Sequence, residues 1–432
     1  MGPTAAAPAQ ISPVRSRLSS IVARLAGANV LVAASGFITG PLLARALGAS
    51  GRGDLAAVIV PLGLAPYVLN LGIPTFANRE LPRGRPLNLV IGSLGAPLLA
   101  MGAVSVLAAV PVADALAGDR ETVRTLLVLT FCAMPLLLAG NLLVAALAGL
   151  ERWPRVIRAR LIPIAVSLSA IVVLYATGRL TVASAGAFAI AGAVLSGVPG
   201  LTLLRAGGRP VFRLAYAIKG VTFGLKTWLG TIALLANARV DQLVMITAVA
   251  PRELGLYAVA VTLGGASTLL TSAISPPLIT RLSEGHTELV PQALRMTLAA
   301  TVLLNIVLAL ACPFLLPALF GQAFRDAVPM AAVLLIAAVP FAGTSVLTAT
   351  LQAGGAPIIP SIAEAIALAV TGVGLLVLLG PLGGLGAAIV SLASYSASFG
   401  YQLVMVRRRI PAPLSAYLLP AAADLRWARS LL

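Results

Sequence analysis

Residues 43–80 read LARALGASGRGDLAAVIVPLGLAPYVLNLGIPTFANRE, and the placement of charge in this stretch decides the fold. Arg45, Arg52 and Asp54 crowd one end, Arg79 and Glu80 lie at the other, and the residues between carry no charge. A helix needs about 20 mostly apolar residues to cross a bilayer, so the stretch reads as a membrane span bounded by two joints. The same pattern recurs and predicts spans near 24–46, 53–76, 88–112, 125–149, 158–177, 181–204, 226–248, 255–279, 296–318, 328–351, 360–379 and 383–406. The expected fold is an all-α integral membrane protein of about twelve transmembrane helices.

An even number of spans places both termini on one side, and Lys and Arg accumulate in cytoplasmic loops because they are hard to translocate. With the N-terminus inside, the inner segments hold 22 of the 30 bases against Glu80, Glu151, Glu284, Glu288 and Asp424, leaving +17. The outer segments hold Arg45, Arg52, Arg120, Arg124, Arg179, Arg252 and Arg325 against six acids, leaving +1. Both termini are therefore expected in the cytoplasm. The bases are 28 Arg and 2 Lys, Lys219 and Lys226, a bias that suggests a GC-rich bacterial genome and hence a bacterial cytoplasmic membrane. Three charges remain inside spans: Arg239, Asp241 and Glu364.

At 59% hydrophobic and 10% charged residues, with mean hydropathy +1.02, the chain lies outside the soluble range, which runs near 25% charged. The net +17 is loop bias, and no loop interleaves aromatics with bases as a nucleic-acid platform would, so no nucleic-acid partner is expected. Cys132 and Cys312 sit inside apolar runs as packing residues, His286 stands alone in an inner loop, and no metal site is expected. No Gly-rich phosphate loop with its Lys and Ser or Thr is present, so no nucleotide hydrolysis and no cofactor are expected. Neither a removable signal sequence nor a lipid anchor is expected at the start MGPTAA.

The longest inner loop, 205–225, divides the chain into two six-span halves. The organisation expected is a cytoplasmic tail over 1–23, bundles over 24–210 and 211–409, and a second cytoplasmic tail over 410–432. A shift of 202 residues pairs Gly53 with Gly255, Ala56 with Ala258, Gly63 with Gly265, Pro74 with Pro276 and Arg79 with Arg281. Six spans per half make this a parallel repeat, an arrangement that suits two bundles rocking about a central site.

The segment 43–80, with Arg45, Leu47 and Gly48 closing helix one, Gly53 opening helix two and Arg79 at its inner end, resembles the polysaccharide flippases of the multidrug/oligosaccharidyl-lipid/polysaccharide exporter superfamily. The likeness repeats at 237–258, NARVDQLVMITAVAPRELGLYA, with its Arg-x-Asp in helix seven and Gly-x-Tyr opening helix eight. The resemblance implies two six-helix bundles and an oligosaccharide on a polyprenyl diphosphate as cargo, moved from the inner to the outer leaflet. It also implies membrane lipids, a glycan polymerase and glycosyltransferases of the same pathway as partners. Related lipid II flippases usually carry arginines within helix one and fourteen spans; here helix one shows Ser35 and Thr39, which favours the general polysaccharide branch.

Charges inside spans normally face a protein interior or a water cavity. Arg239 and Asp241 are two residues apart, so they point to different faces and each needs another partner. Arg239 is a candidate to hold a diphosphate through bidentate bonds and Asp241 to bind a coupling cation, unless both lock helix seven to its neighbours. Glu364, about one turn into helix eleven, is either a carrier for H+ or Na+ or a snorkelling carboxylate at the inner rim. Arg45 and Arg79 are substrate candidates at opposite ends of the first hairpin, against the alternative of simple charge anchoring. Asn70 and Asn237 are candidates for sugar hydroxyls or for helix bridging.

Two rival functions remain open: a cation-coupled drug or metabolite antiporter of the same superfamily, and a membrane-embedded glycan polymerase or ligase. An enzyme wants a sizeable outer loop with a nucleophile and base, and the longest outer loop, near 113–124, offers none, so no catalytic activity is expected. The topology makes a direct prediction. Reporter fusions at Gly118 and Arg209 report opposite sides of the membrane, and finding both on one side would remove the two-half arrangement.

Overall fold

The structure, a computed structural model, describes residues 13–266 and 288–419. Its helices there are α1 (Pro13–Leu69), α2 (Ile73–Glu80), α3 (Leu87–Leu107), α4 (Ala109–Ala117), α5 (Glu121–Cys132), α6 (Met134–Gly149), α7 (Trp153–Ala176), α8 (Val182–Leu195), α9 (Leu201–Ala206), α10 (Leu214–Ala248), α11 (Pro251–Gly264), α12 (Leu289–Phe320), α13 (Val328–Ala353), α14 (Ile358–Arg409) and α15 (Leu414–Leu418). By length and composition seven described helices can cross a membrane, or eight if the bent pair α5 and α6 forms one span. Two of these are doubled at a glycine with positive φ, Gly48 in α1 (φ 67°) and Gly383 in α14 (φ 53°), a conformation that L side chains rarely adopt. The reversal in α14 brings Thr371 Oγ1 within 2.9 Å of Ser394 Oγ. Counting both limbs of each gives ten of the twelve spans expected from the charge joints; α10 covers the seventh, and the eighth starts as α11, its remainder lying outside the described residues.

The joints fall on opposite ends, as an alternating topology requires. At the cation-poor end, Arg45 donates to the carbonyls of Ala318 and Leu319, Arg120 pairs with Asp54 at 3.4 Å, and Arg252 pairs with Asp326 at 2.6 Å. Glu253 there accepts from the Gly384 backbone at 2.8 Å. At the cation-rich end, Gly149 packs on Asn78, Gly207 on Leu87, and Arg295 reaches the carbonyl of Ala416.

Two departures from the expected spans have physical causes. The segment 205–225, read as a loop because of Arg209, Arg213, Lys219 and its glycines, is helical from Leu214 onward. Its buried small residues Ala217, Gly220 and Gly224 recur at helical spacing and pack beneath the first bundle, with Gly220 against Leu94 and Phe76. The second span ends at Leu69, seven residues early, because the chain breaks over 70–72, where Leu71 and Gly72 both take positive φ. Asn70 Oδ1 accepts from the Gly72 backbone at 2.8 Å, and Trp228 Nε1 donates to the carbonyls of Tyr67 and Val68 at 3.0 Å each. These bonds satisfy groups that a helix end leaves open.

The repeat is also visible at the end of each half. Residues 211–213 and 411–413 are non-helical, and each leads into a helix bearing a tyrosine, Tyr216 and Tyr417. The first is pinned to α3 through Ser93, and the second to α12 through Arg295. In the first half this helix runs on as α10; in the second, α15 stops at Leu418. The core has a matching asymmetry. One hydrophobic cluster spans both bundles toward the cation-poor end, from Ala49, Ala56 and Ala113 to Tyr257, Phe320 and Ala331. At the cation-rich end the bundles have separate cores, one around Phe76, Leu94 and Leu142 and another around Leu294, Leu347 and Tyr417. Among the described residues, the buried cores of the two halves are joined at one end and separate at the other.

Candidate functional site

The joined end is sealed by backbone against backbone. A Cβ placed on Gly53 would lie 1.8 Å from the carbonyl oxygen of Pro251, and one on Gly255 would lie 1.9 Å from that of Ala49. The contact is reciprocal at a shift of 202 residues, since each glycine meets the residue four before its counterpart. Small residues spaced by four let membrane helices approach this closely. Arg45 reinforces the seal by donating to the last carbonyls of α12, and Arg120 by donating to the Ile246 carbonyl at 3.1 Å while pairing with Asp54.

A buried polar network lies within the second bundle. Asp241 accepts from the hydroxyl of Tyr257, from the Gln242 backbone at 2.7 Å and from Ser391 at 3.5 Å. One helical turn away, Asn237 donates to Glu364 at 2.8 Å and accepts from Ser394 at 2.9 Å and Thr371 at 3.4 Å. Ser398 donates to Glu364 at 3.3 Å, and Gln402 and Thr348 extend the chain of bonds. Asp241 is 5% and Glu364 9% exposed, and among the described residues neither has an Arg or Lys at ion-pair distance. Burying a carboxylate is costly unless it is paired and hydrogen-bonded, and here the hydrogen bonds to both carboxylates come, among the described residues, from neutral donors. Such a site has the chemistry to take up a small cation.

A third arrangement occupies the divided end. Phe76, Arg79, Glu80, Arg83, Arg85, Lys219, Phe223 and Lys226 are among the residues lining a pocket of about 640 Å³ between α2 and the start of α10. Arg79 lies over the Phe223 ring at 4.6 Å, and Phe223 packs on Phe76 with centroids 5.4 Å apart. Glu80 holds Arg83 at 3.2 Å and Arg85 at 3.6 Å.

The candidate residues thus separate into five places. Arg79 lines the basic pocket. Arg45 belongs to the opposite end, where it caps helix carbonyls. Asn70 closes the break after α1. Asn237 spends both ends of its amide inside the protein, on Glu364, Ser394 and Thr371. Asp241 and Glu364 share one network, and Glu364 is buried in the bundle instead of snorkelling at the rim, because Asn237 and Ser398 solvate it there. Arg239, two residues from Asp241, turns to another face; it is exposed and reaches Gln242 Oε1 at 3.5 Å. Pro276, Pro277, Arg281 and His286 lie outside the described residues.

Sequence reasoning missed Ser391, Ser394, Ser398 and Gln402, although their spacing of three, four and four marks one helix face. Tyr257 stood in the quoted Gly-x-Tyr, but its bond to Asp241 requires the fold.

The family profile described as polysaccharide biosynthesis protein matches residues 22–283, more than half of the chain. The chain belongs to the polysaccharide biosynthesis protein family. Solved membrane-transport structures share its fold, among them the following two. A lipid II flippase, MurJ, in an inward closed conformation aligns at 14% identity over 93% of this chain and 89% of that one, with a TM-score of 0.75. An inward-facing multidrug resistance MATE transporter of the MOP superfamily aligns at 15% identity over 87% of this chain and 94% of that one, with a TM-score of 0.69. Among curated proteins, none matches the chain significantly by sequence.

The network predicts coupled energetics. Tyr257→Phe removes a donor from a buried carboxylate and lowers stability by about 1–3 kcal/mol, and Asp241→Asn in that background recovers part of the loss by removing the charge. Thermal melts of the purified single and double variants measure the coupling; purely additive shifts would mean that the hydroxyl does not support the carboxylate.

Proposed function

We propose that this chain is a flippase that carries a polyprenyl-diphosphate-linked oligosaccharide from the inner to the outer leaflet of a bacterial cytoplasmic membrane, without bond chemistry. Membership of the polysaccharide biosynthesis protein family supports the reading. The observation that carries the reading is the core of the described residues, joined at the cation-poor end and separate at the cation-rich end. On the positive-inside rule the divided end is cytoplasmic, as are both termini, so the carrier stands ready to load from inside. Five basic side chains line the pocket at that end, which suits an anionic headgroup. Separating the Gly53–Gly255 contact while the inner ends draw together presents the cargo to the other leaflet.

The driving force follows from the charge of the cargo. Moving a negative charge outward across an inside-negative membrane gains about 2.3 kcal/mol per charge per 100 mV, so two diphosphate charges gain about 4–5 kcal/mol. A cation taken up at the Asp241 and Glu364 network, H+ or Na+, resets the empty carrier. Arg239, exposed beside that network, is positioned to contact the phosphates in transit.

Purified protein in liposomes tests the reading. The expected result is transport of a lipid-linked oligosaccharide that rises with an inside-negative potential and needs no nucleotide. Asp241→Asn or Glu364→Gln weakens its dependence on an imposed ion gradient, and Arg239→Ala abolishes transport while the protein still folds. Transport that ignores potential and ion gradients yet requires ATP would contradict the proposal.

A further inference from the structure

The two lysines of the chain stand out against 28 arginines, and both line the same pocket. Lys219 and Lys226 are seven residues apart on α10, which puts them on one helix face about 10 Å apart along the axis. Arg79 faces them from α2. Glu80 is engaged with Arg83 and Arg85, whereas Arg79, Lys219 and Lys226 are in no ion pair among the described residues. The pocket's five bases and one acid leave a net +4. Positive-inside bias demands cations at this end but no geometry, and does not account for their convergence on one concavity with a stacked guanidinium in its wall.

We infer that Arg79, Lys219 and Lys226 form a capture station for the diphosphate of the lipid-linked cargo, occupied before the cargo moves between the bundles. The inference rests on the flippase reading and adds to it a ligand group and two residues. The pocket lies between α2 and the first turns of α10, both packed in the first bundle, and apart from the Asp241 network of the second. Arg79, held over Phe223, supplies a preorganised fork for one phosphate. The lysines are compact, mobile charges on flexible stems, suited to a second phosphate that must later be released. At 640 Å³ the pocket is within the range of small-molecule sites, about 300–1,000 Å³.

Binding to purified full-length protein separates the possible ligands. Inorganic pyrophosphate is expected to bind at least about ten-fold more tightly than inorganic phosphate, and polyprenyl diphosphate in phosphatidylcholine nanodiscs to compete with it. Replacing both lysines in a Lys219→Gln, Lys226→Gln variant weakens pyrophosphate binding about 100-fold or more, at roughly ten-fold per charge-assisted contact. The Lys219→Arg, Lys226→Arg variant keeps most of the affinity and serves as the folding control. Equal binding by wild type and the Gln variant overturns the inference. So does displacement of pyrophosphate by phosphatidylglycerol nanodiscs as effective as by polyprenyl diphosphate, which assigns the pocket to bulk anionic lipid. Pyrophosphate binding with which polyprenyl diphosphate does not compete also overturns it, in favour of a free anion. Transport measured on the same preparations keeps the two readings apart: a Gln variant that transports normally removes the station but leaves the flippase, whereas wild type that moves no lipid-linked oligosaccharide removes the flippase whatever the pocket binds.

Discussion

The rest of the structure depends on the approach of two backbones at Gly53 and Gly255. Neither position has room for a methyl group, since the nearest carbonyl oxygens would lie within 2 Å of it. In a bilayer there is no hydrophobic force to draw helices together, because lipid tails are as apolar as side chains, so close backbone packing carries the association. The reciprocal geometry gives the contact an axis. Ala49 answers Pro251 as Gly53 answers Gly255, and Arg45 and Arg120 add hydrogen bonds from the first half to backbone carbonyls of the second. A contact made of backbone atoms and a few polar bonds is specific yet shallow, which suits the opening that the proposed function requires.

Charge is distributed so that this seal has consequences. The joined end is nearly neutral in sequence and the divided end strongly basic, so an anionic headgroup is attracted where the bundles part. The second bundle meanwhile buries two carboxylates among hydroxyls and amides with no cation at ion-pair distance among the described residues. The first bundle supplies a basic pocket and the second an acidic interior, and α10 runs between them, from Lys219 in the pocket to Asp241 in the network.

The all-helical membrane fold and most of its spans were legible from charge placement alone, because a bilayer makes charge inside a span costly and charge at a joint cheap. The pairing of Gly53 with Gly255 was legible as a repeat, but its meaning as a contact was not, since a repeat says nothing about whether its copies touch. Helix boundaries failed where polar residues sat on helical backbone: Lys219, together with Arg209 and Arg213 just before the helix, made 214–225 look like a loop, although Ala217, Gly220 and Gly224 were already spaced to bury one face. Asn237 and Glu364 were each singled out as polar residues in spans. Their bond to each other needed α10 and α14 to be brought together, and 127 residues of separation conceal it.

The central claim is that the Gly53–Gly255 contact holds the outer end closed and must part for transport. Spin labels at Asp119 and Arg325, exposed on the two bundles at that end, allow the distance between them to be read by double electron–electron resonance. The account predicts one short distance in the native protein, and a longer one with loss of transport in the Gly53→Val, Gly255→Val variant. An unchanged distance with transport intact in that variant would contradict it.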